Sequence, residues 1–378
     1  MKAGRKALVV ATVGRFLNFE KNDMKILKEL GYEVHCAANF CVEDIDAVPH
    51  IEAEKHQIDF ARSPFSIRTL TAFNQIKKLL SEEHFDLIHC HTPVGGILTR
   101  LAARKYRNKG TKVFYTAHGF HFFEGAPIAN WLLFYPIEWL CSWWTDVLLT
   151  INQEDYKRVK EKFHAKKTVY IPGVGIDLEK FQCGMIDKEE KRATLGLQSD
   201  DKMLLSVGEL SERKNHATVI QALAKLNDQK IKYYICGQGV LQGELEKLIR
   251  EKHLESQVFL LGYRSDVSEL CQCADVFVFP SLQEGLPVAL MEAIACKIPV
   301  LCSDIRGNID LVKDEKYLFR PNDATKIARC IEYALTQNNR NIVEENYKTL
   351  LACDLTNVVA HMNEHYKGIF EAGGNASI

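Results

Sequence analysis

Ser281-Leu-Gln-Glu284-Gly285-Leu286-Pro287-Val-Ala-Leu-Met-Glu292-Ala-Ile-Ala-Cys296-Lys-Ile-Pro-Val-Leu-Cys302 is the stretch around which the chain is organised. An apolar strand, Val276 to Phe279, runs into it through Pro280 and Ser281. A loop with Glu284 and Gly285 follows, then a helix with Pro287 in its first turn, where a missing N–H costs nothing. From Val288 to Ala295 that helix is apolar almost all the way round, so it is buried on most sides. A carboxylate inside it, Glu292, needs a partner. One candidate partner is a structural Arg or Lys. The other is a ligand. Free backbone N–H groups at Glu284 to Leu286 and the positive end of the helix dipole suit a phosphate. Glu292 lies about five residues deeper, on the order of 8 Å at ~1.5 Å per residue, roughly the distance from a diphosphate to the ribose of its nucleotide. Glu292 would accept hydrogen bonds from ribose hydroxyls, and Glu284 would face whatever the diphosphate carries.

Working outward, the second half of the chain alternates strand and helix. Strands are expected at 203–208, 232–236, 258–261, 276–279, 299–303 and 317–319. Helices are expected at 215–226, 241–253, 267–273 and 286–296, with further helices from Asp323 to the mid-360s. The first half repeats the pattern, with strands at 8–12, 33–38, 86–92, 112–117, 147–152 and 168–172 and helical segments between most of them. This is the βαβ signature of parallel sheets. Residues 40–62 carry no regular pattern, and a short Gly373-Gly374-Asn375 tail ends the sequence. The alternation breaks after Ile171-Pro172-Gly173-Val174-Gly175, where a polar segment runs from Asp177 to Lys202. The expected fold class is α/β, with two Rossmann-like parallel-sheet domains facing across a cleft. Domain boundaries are expected at 1–175 and 176–355, with 356–378 a helical segment crossing back to the first domain.

A chain of 378 residues suits two such domains. The net charge of −1 gives no electrostatic case for nucleic acid as the main partner. The opening apolar run ends at Gly14-Arg15 and reads as a first strand rather than a signal peptide. Trp131 to Ile151 is the most membrane-like segment, yet Glu138 and Asp146 interrupt it, so it falls short of the ~20 uncharged residues of a spanning helix. It reads as a core helix followed by a strand, or as an aromatic surface lying against a bilayer. There are twelve cysteines. Cys36, Cys90, Cys236 and Cys302 sit inside strand-like runs, and no Cys-x-x-Cys pair is present. Cys271 and Cys273 stand too close together for a zinc knuckle. These are the reduced core thiols of a cytosolic protein.

In open α/β sheets ligands bind beyond the carboxyl ends of the strands, and the chemistry-bearing residues collect there. Strand 8–12 ends in Thr12-Val13-Gly14-Arg15, where Gly14 allows close approach to the backbone. Strand 86–92 carries His89 and His91, and strand 112–117 leads into His118-Gly119-Phe120-His121. Strand 203–208 leads into Arg213-Lys214-Asn215, either a solvated loop or a cationic clamp for a diphosphate. Four histidines suggest a metal, but no Cys or acidic residue stands at a zinc-site spacing, and one histidine contacting a sugar fits better. Gly237-Gln238-Gly239 with Gly243 resembles a dinucleotide fingerprint. The next strand ends in Gly262-Tyr263-Arg264 without the acidic residue that a ribose 2′-hydroxyl requires, although Arg264 would suit a 2′-phosphate. Neither a Gly-x-Ser-x-Gly elbow nor a Walker Gly-Lys-Ser/Thr occurs, which removes the hydrolase and P-loop readings. A non-catalytic nucleotide-sugar sensor would keep the diphosphate and ribose contacts without needing a facing histidine.

Taken together, the Glu284/Glu292 pair within Pro280 to Ala293, Arg213-Lys214-Asn215, Gly237-Gln238-Gly239, Gly262 to Asp266 and Thr116 to Phe120 resemble the family 4 glycosyltransferases of GT-B fold, of the bacterial capsule and exopolysaccharide type. The resemblance covers nearly the whole chain. It implies a retaining hexosyl- or N-acetylhexosaminyltransferase that needs no metal and no cofactor beyond a nucleotide-sugar, here a UDP-sugar. It places the donor in the C-terminal domain and a lipid-linked saccharide acceptor in the N-terminal one. It implies that Glu292 holds the ribose, Glu284 the transferred sugar, and Arg213 and Lys214 the leaving diphosphate. Gly285, Leu286 and Pro287 would lie at the phosphates and Gly237 and Gly239 in the donor site. Tyr263 and Arg264 would read the base, His118 would touch the sugar from the opposite domain, and Gly14 would give room at the acceptor end. The transfer would be front-face, the departing phosphate helping to deprotonate the acceptor. The expected location is cytoplasmic, peripheral at the inner face of the membrane, with Phe120 to Trp144 and the basic residues around 100–112 on the lipid surface. A nucleotide-sugar 2-epimerase is the alternative within the fold and an NAD(P)-dependent dehydrogenase the alternative outside it. Two positions depart from the family pattern, Glu209 for a frequent Arg and Lys297 for a frequent Gly.

Overall fold

The computed structural model describes residues 4–41, 52–61, 66–182 and 186–371. The chain divides into two compact units, Met1–Gly175 with Thr356–Ile378, and Ile176–Leu355.

The first unit is built on seven parallel strands: β1 (Arg5–Val13), β2 (Tyr32–Asn39), β3 (Glu54–Gln57), β4 (Leu87–His91), β5 (Lys112–Ala117), β6 (Val147–Thr150) and β7 (Lys167–Tyr170). Their order is β3-β2-β1-β4-β5-β6-β7. β1 is apolar without alternation because both of its faces are covered. Leu8 and Val10 join one buried cluster and Ala7, Val9 and Ala11 the other. The helix Leu355–Glu371 closes the second face with Val358, Met362 and Tyr366, one side of a helix at four-residue spacing. Of the patternless stretch 40–62, residues 42–51 and 62 lie outside the described residues, as does the tail at 372–378. Glu54–Gln57 forms an edge strand there. Its sequence, Glu-Lys-His-Gln, is polar because a charged, short edge discourages pairing with other chains.

The aromatic segment is a helix, Ile128–Ser142, that buries Glu138, Cys141 and Ser142 and leaves an apolar side exposed, followed by β6. No helix among the described residues is long and apolar enough to cross a membrane. Glu138, which interrupts the segment in sequence, is buried against Arg100. Arg100 Nη2 donates to Glu138 Oε2 at 2.5 Å, and the Tyr115 hydroxyl donates to Glu138 Oε1 at 3.1 Å. The guanidinium lies 3.7 Å from the Tyr115 ring centroid. Removing one partner of a fully buried pair strands the other charge. Glu138→Ala is therefore expected to cost about 3–5 kcal/mol and to lower the melting temperature by about 10 °C. Thermal unfolding followed by circular dichroism measures it, and a loss below about 1 kcal/mol would mean that the pair behaves as a surface one.

The second unit has six parallel strands: β8 (Lys202–Val207), β9 (Ile231–Cys236), β10 (Val258–Gly262), β11 (Val276–Phe279), β12 (Val300–Ser303) and β13 (Leu318–Phe319), in the order β10-β9-β8-β11-β12-β13. The polar stretch after Asp177 belongs to this unit. Lys191 bridges Asp266 and Glu269, and Arg192 donates to the Cys273 and Asp201 carbonyls. Every described cysteine is a free thiol. Burial pushes Cys36, Cys90 and Cys236 up to about 12, so these thiols are inert packing groups.

Candidate functional site

In each sheet the strand order reverses beside its first strand: between β1 and β4 in the first unit, between β8 and β11 in the second. A reversal leaves the carboxyl ends of two adjacent strands uncovered by crossover helices. In the second unit β8 leads to Arg213 and Lys214, and β11 leads to Glu284.

Three hydrogen bonds organise the loops at that reversal. Leu282 N donates to the Arg213 carbonyl at 2.8 Å, Asn215 Nδ2 to the Pro280 carbonyl at 3.2 Å, and Thr218 Oγ1 to Asn215 Oδ1 at 2.7 Å. Asn215 is left-handed, with φ 55°, a conformation that Asn tolerates better than most residues. It turns the chain sharply into the helix His216–Leu226. The loops so fixed bring Arg213 Nη1 to 2.9 Å and Lys214 Nζ to 2.7 Å from Glu284 Oε1. Lys214 is the more enclosed cation, with its ammonium 4.6 Å from the Phe279 ring centroid. Burial holds its pKa below the usual lysine range, and the Glu284 charge opposes that shift. Arg213 keeps 44% of its side chain exposed. The two cations and their single carboxylate form a clamp with net positive charge.

Behind it the helix Val288–Ala295 begins, with Pro287 as its N-cap rather than inside its first turn. The N–H groups of Gly285, Leu286, Val288 and Ala289 find no acceptor among the described residues, so four donors are available for an anion. Arg306 Nε holds the Glu284 carbonyl at 3.1 Å. Gly307, at φ 80°, packs so close that a Cβ there would stand 2.1 Å from the Gly285 carbonyl oxygen. Arg306 and Gly307 escape the sequence reading; the only cue to them is a Gly following the end of a strand. Glu292 has neither an ion-pair nor a side-chain hydrogen-bond partner among the described residues. Burial alone raises its pKa to about 7. Among the described residues of this unit, no structural Arg or Lys partners Glu292.

The other predicted donor residues fare differently. Gly237 and Gly239 pack against the turn after β8: a Cβ on Gly237 would sit 1.9 Å from the Gly208 carbonyl oxygen, and one on Gly239 would sit 2.3 Å from that of Leu210. Their hydrogen side is filled by protein backbone, not by an open cradle, which removes the physical basis of the dinucleotide fingerprint. Tyr263 is 78% exposed. Arg264 is forked onto Asp266, with Nε at 2.7 Å from Oδ1 and Nη2 at 2.5 Å from Oδ2. Lys297 is left-handed, φ 55°, just past the end of the Glu292 helix. That position favours Gly, which explains the family pattern. The lysine recovers part of the strain by lying 4.3 Å from the Tyr347 ring centroid. Lys297→Ala keeps the strain and loses this contact, so it is expected to be about 1 kcal/mol less stable than Lys297→Gly. Chemical denaturation of the two variants measures this, and equal stability would show that the backbone strain costs nothing.

In the first unit, Gly14 opens a short 3-10 turn, Gly14–Asn18, and tucks beneath Phe40. His89, His91 and His118 come together, while His121 packs away from them on Phe134. Acidic partners do exist, in correction of the spacing argument: Glu20 and Asp23, at the N-cap and in the first turn of the helix Lys21–Glu29, are far off in sequence. Glu20 Oε1 lies 3.3 Å from both His91 Nδ1 and His118 Nε2, and Asp23 Oδ2 lies 3.5 Å from His89 Nδ1. Each histidine group with its carboxylate has ligand atoms close enough to hold a metal ion. The Tyr366 hydroxyl, from the C-terminal helix, stands 2.6 Å from His89 Nδ1 and donates to Asp23 at 2.9 Å. Burial depresses His89 to about 3 and His91 far below its usual value, while burial and then the Glu20 charge raise Asp23.

Comparison with known proteins adds three findings. The family model described as "Glycosyl transferases group 1" matches residues 187–349, and "Glycosyl transferase 4-like" matches 6–152. EpsD of Bacillus subtilis (strain 168), a glycosyltransferase by name, is 37% identical over 376 residues, 97% of each chain. An Escherichia coli protein is 29% identical over 289 residues, 74% of each chain; its name is UDP-Gal:alpha-D-GlcNAc-diphosphoundecaprenol alpha-1,3-galactosyltransferase. Among solved structures, HepE of Anabaena in complex with UDP and glucose superposes with a TM-score of 0.78 at 18% identity, over 96% of this chain and 100% of that one. It shares the fold of two parallel-sheet domains.

Proposed function

Because the chain belongs to the group 1 glycosyl transferases, we propose that it moves a hexose or N-acetylhexosamine from a UDP-sugar, with retention, onto a lipid-linked saccharide in surface polysaccharide synthesis. The observation that carries this reading is Glu292. A carboxylate without a partner, below four free N–H groups and a cationic clamp, needs hydroxyls to bond, and a nucleotide supplies a diphosphate and a ribose at that spacing. The E. coli relative carries a UDP-sugar and a diphosphoundecaprenol acceptor in its name, and HepE was solved with UDP, which supports the donor and acceptor classes.

As the glycosidic bond breaks, negative charge grows on the β-phosphate. Arg213, Lys214 and the N–H groups of Gly285 and Leu286 oppose it. Two fixed cations supply the charge that a metal otherwise would, so transfer proceeds in EDTA. The oxygen released on the leaving diphosphate takes the proton of the acceptor hydroxyl as the new bond forms on the same face. Glu284, held by both cations, accepts hydroxyls of the transferred sugar rather than attacking its anomeric carbon. Tyr263 stacks on or borders the base. Arg264, bound by Asp266, contributes through the position of that loop.

The acceptor lipid brings the protein to the inner face of the cytoplasmic membrane. The helix Ile128–Ser142 leaves Ile128, Leu132 and Leu140 exposed, and Trp143 beside it, with Arg104 and Lys105 exposed on the preceding helix. Apolar and cationic groups together suit an anionic lipid surface.

The test is nucleotide release from UDP-, GDP- and ADP-sugars in EDTA, with and without a lipid-linked oligosaccharide extract. Acceptor-stimulated release from one UDP-sugar is expected. Release that ignores the acceptor and leaves a free 2-epimer would replace the transferase with an epimerase. A strict requirement for a divalent ion would remove the electrostatic role of the clamp.

A further inference from the structure

We infer that Glu20 and His91 are positioning residues for His118, holding its Nε2–H inward so that a bare Nδ1, an acceptor for a hydroxyl, is the atom it offers to substrate. This rests on the transferase reading for the role of His118, though not for its geometry. His118 Nε2 lies 3.2 Å from His91 Nδ1 and 3.3 Å from Glu20 Oε1. The Phe16 ring stands edge-on against the imidazole, with centroids 4.8 Å apart. One side of the ring and one of its nitrogens are therefore committed to the protein, and 17% of the side chain stays exposed.

The tautomer follows from His91. Its Nε2 is buried with no hydrogen-bond partner, and a bare ring nitrogen is tolerated there better than an orphaned N–H. The proton of neutral His91 then sits on Nδ1, where the Glu20 carboxylate 3.3 Å away favours it. That carboxylate's Oε1 is itself buried with no hydrogen-bond partner and stands equally close to His118 Nε2, so the proton of neutral His118 is drawn to Nε2 and Nδ1 is left bare. Glu20 can act at this range because its backbone is fixed at both sides. Its N–H bonds the Leu17 carbonyl at 3.1 Å, and its own carbonyl accepts from Met24 N at 3.0 Å. Gly14 permits that turn by leaving room for Phe40. A role for Gly14 in placing Glu20 thus accompanies the room it gives.

Two measurements test the proposal together. Ring 15N shifts of the wild type should show His118 protonated at Nε2, and Glu20→Ala should convert it to a mixture of tautomers. Kinetically, Glu20→Ala should lower kcat about 10–100-fold with donor KM changed less than about threefold, and Glu20→Gln should recover most of the loss. In the double variant with His118→Ala, the loss should not exceed that of His118→Ala alone, the signature of one residue acting through another. A proton on His118 Nδ1 in the wild type, or losses that multiply in the double variant, would overturn the proposal. So would a stoichiometric zinc lost on His91→Asn, since three atoms at this spacing also match one face of a tetrahedral site with bonds of about 2.0–2.1 Å. A wild type that transfers no sugar would sink the transferase reading and leave the ring nitrogens to decide the geometry.

Discussion

Arg213→Ala is expected to lower kcat about 10²–10³-fold while weakening UDP binding by less than about tenfold. The asymmetry follows from where the guanidinium stands. In the unliganded protein it shares Glu284 Oε1 with Lys214, at 2.9 and 2.7 Å, and it keeps nearly half of its side chain in solvent. On the proposed reading, a diphosphate esterified to a sugar would before reaction carry its charge chiefly on groups that the four N–H donors and Lys214 meet. The additional charge appears only as the bond to the sugar breaks, and an interaction that strengthens only then raises kcat. Losing Arg213 should also leave the fold intact, because its side chain covers no core. Lys214→Ala should behave differently. Its ammonium lies over Phe279 and its stem against Gly208, so its removal disturbs packing and leaves Glu284 to Arg213 alone. Both UDP affinity and kcat should fall. Arg213→Lys keeps charge but loses the planar fork, and should recover only part of the activity. Steady-state kinetics beside calorimetric UDP titration separates these cases. Equal losses of kcat and UDP affinity in Arg213→Ala would remove the transition-state role.

What could be read from sequence was what leaves a periodic trace. The strands of both sheets announce themselves because strands buried on two faces are continuously apolar, as in β1 and β11, and because parallel strands require helices between them. β3 left no trace, since an edge strand must be polar to remain unpaired. The clamp was legible in part. Arg213, Lys214 and Glu284 all follow strand ends, but that both cations would close on one carboxylate oxygen depends on β8 and β11 being neighbours, a fact of topology that no local pattern carries. The pairing of Arg264 with Asp266, two residues away, carries no sequence signal of its own, since a charged pair at that spacing in a loop is as compatible with two solvated side chains. Glu20 and Asp23 illustrate the limit most clearly. Spacing along the chain carries no trace of them, because it is the parallel sheet that sets the start of the helix Lys21–Glu29 beside the ends of β4 and β5. Conversely, the family's Gly at the position of Lys297 has no sequence rationale until the left-handed backbone is seen, and the lysine there carries the strain.

Glu292→Gln is expected to move stability and function in opposite directions. Among the described residues of the unliganded protein no side chain pairs with this carboxylate, and burial raises its pKa to about 7, from about 4.3 in an unfolded chain. A carboxyl raised in this way contributes stability that is complete below the unfolded value and is lost as pH rises through the folded one. The wild type should therefore lose stability between about pH 4.3 and 7 relative to Glu292→Gln, which carries no charge to bury. At about pH 8 the variant should melt a few degrees higher. Nucleotide binding should show the reverse. Ribose hydroxyls donate, so they select the ionised carboxylate, and two charge-assisted hydrogen bonds at about 1.5–3 kcal/mol each make a loss of UDP affinity on the order of 100-fold or more reasonable for the variant. Below about pH 7 wild-type affinity should fall by up to tenfold per unit as the carboxylate takes up a proton. The terminal phosphate of UDP also titrates near about 6, but it does so equally with both proteins, so the difference between their pH profiles isolates residue 292. Calorimetric titration with UDP across about pH 5.5 to 8.5, paired with melting curves in the same buffers, gives both signs at once. Parallel pH profiles with similar affinities would mean that no hydroxyl reaches this carboxylate. A higher melting point with lost binding would explain why a helix so apolar retains an acid at this one position: the fold tolerates it for the ligand.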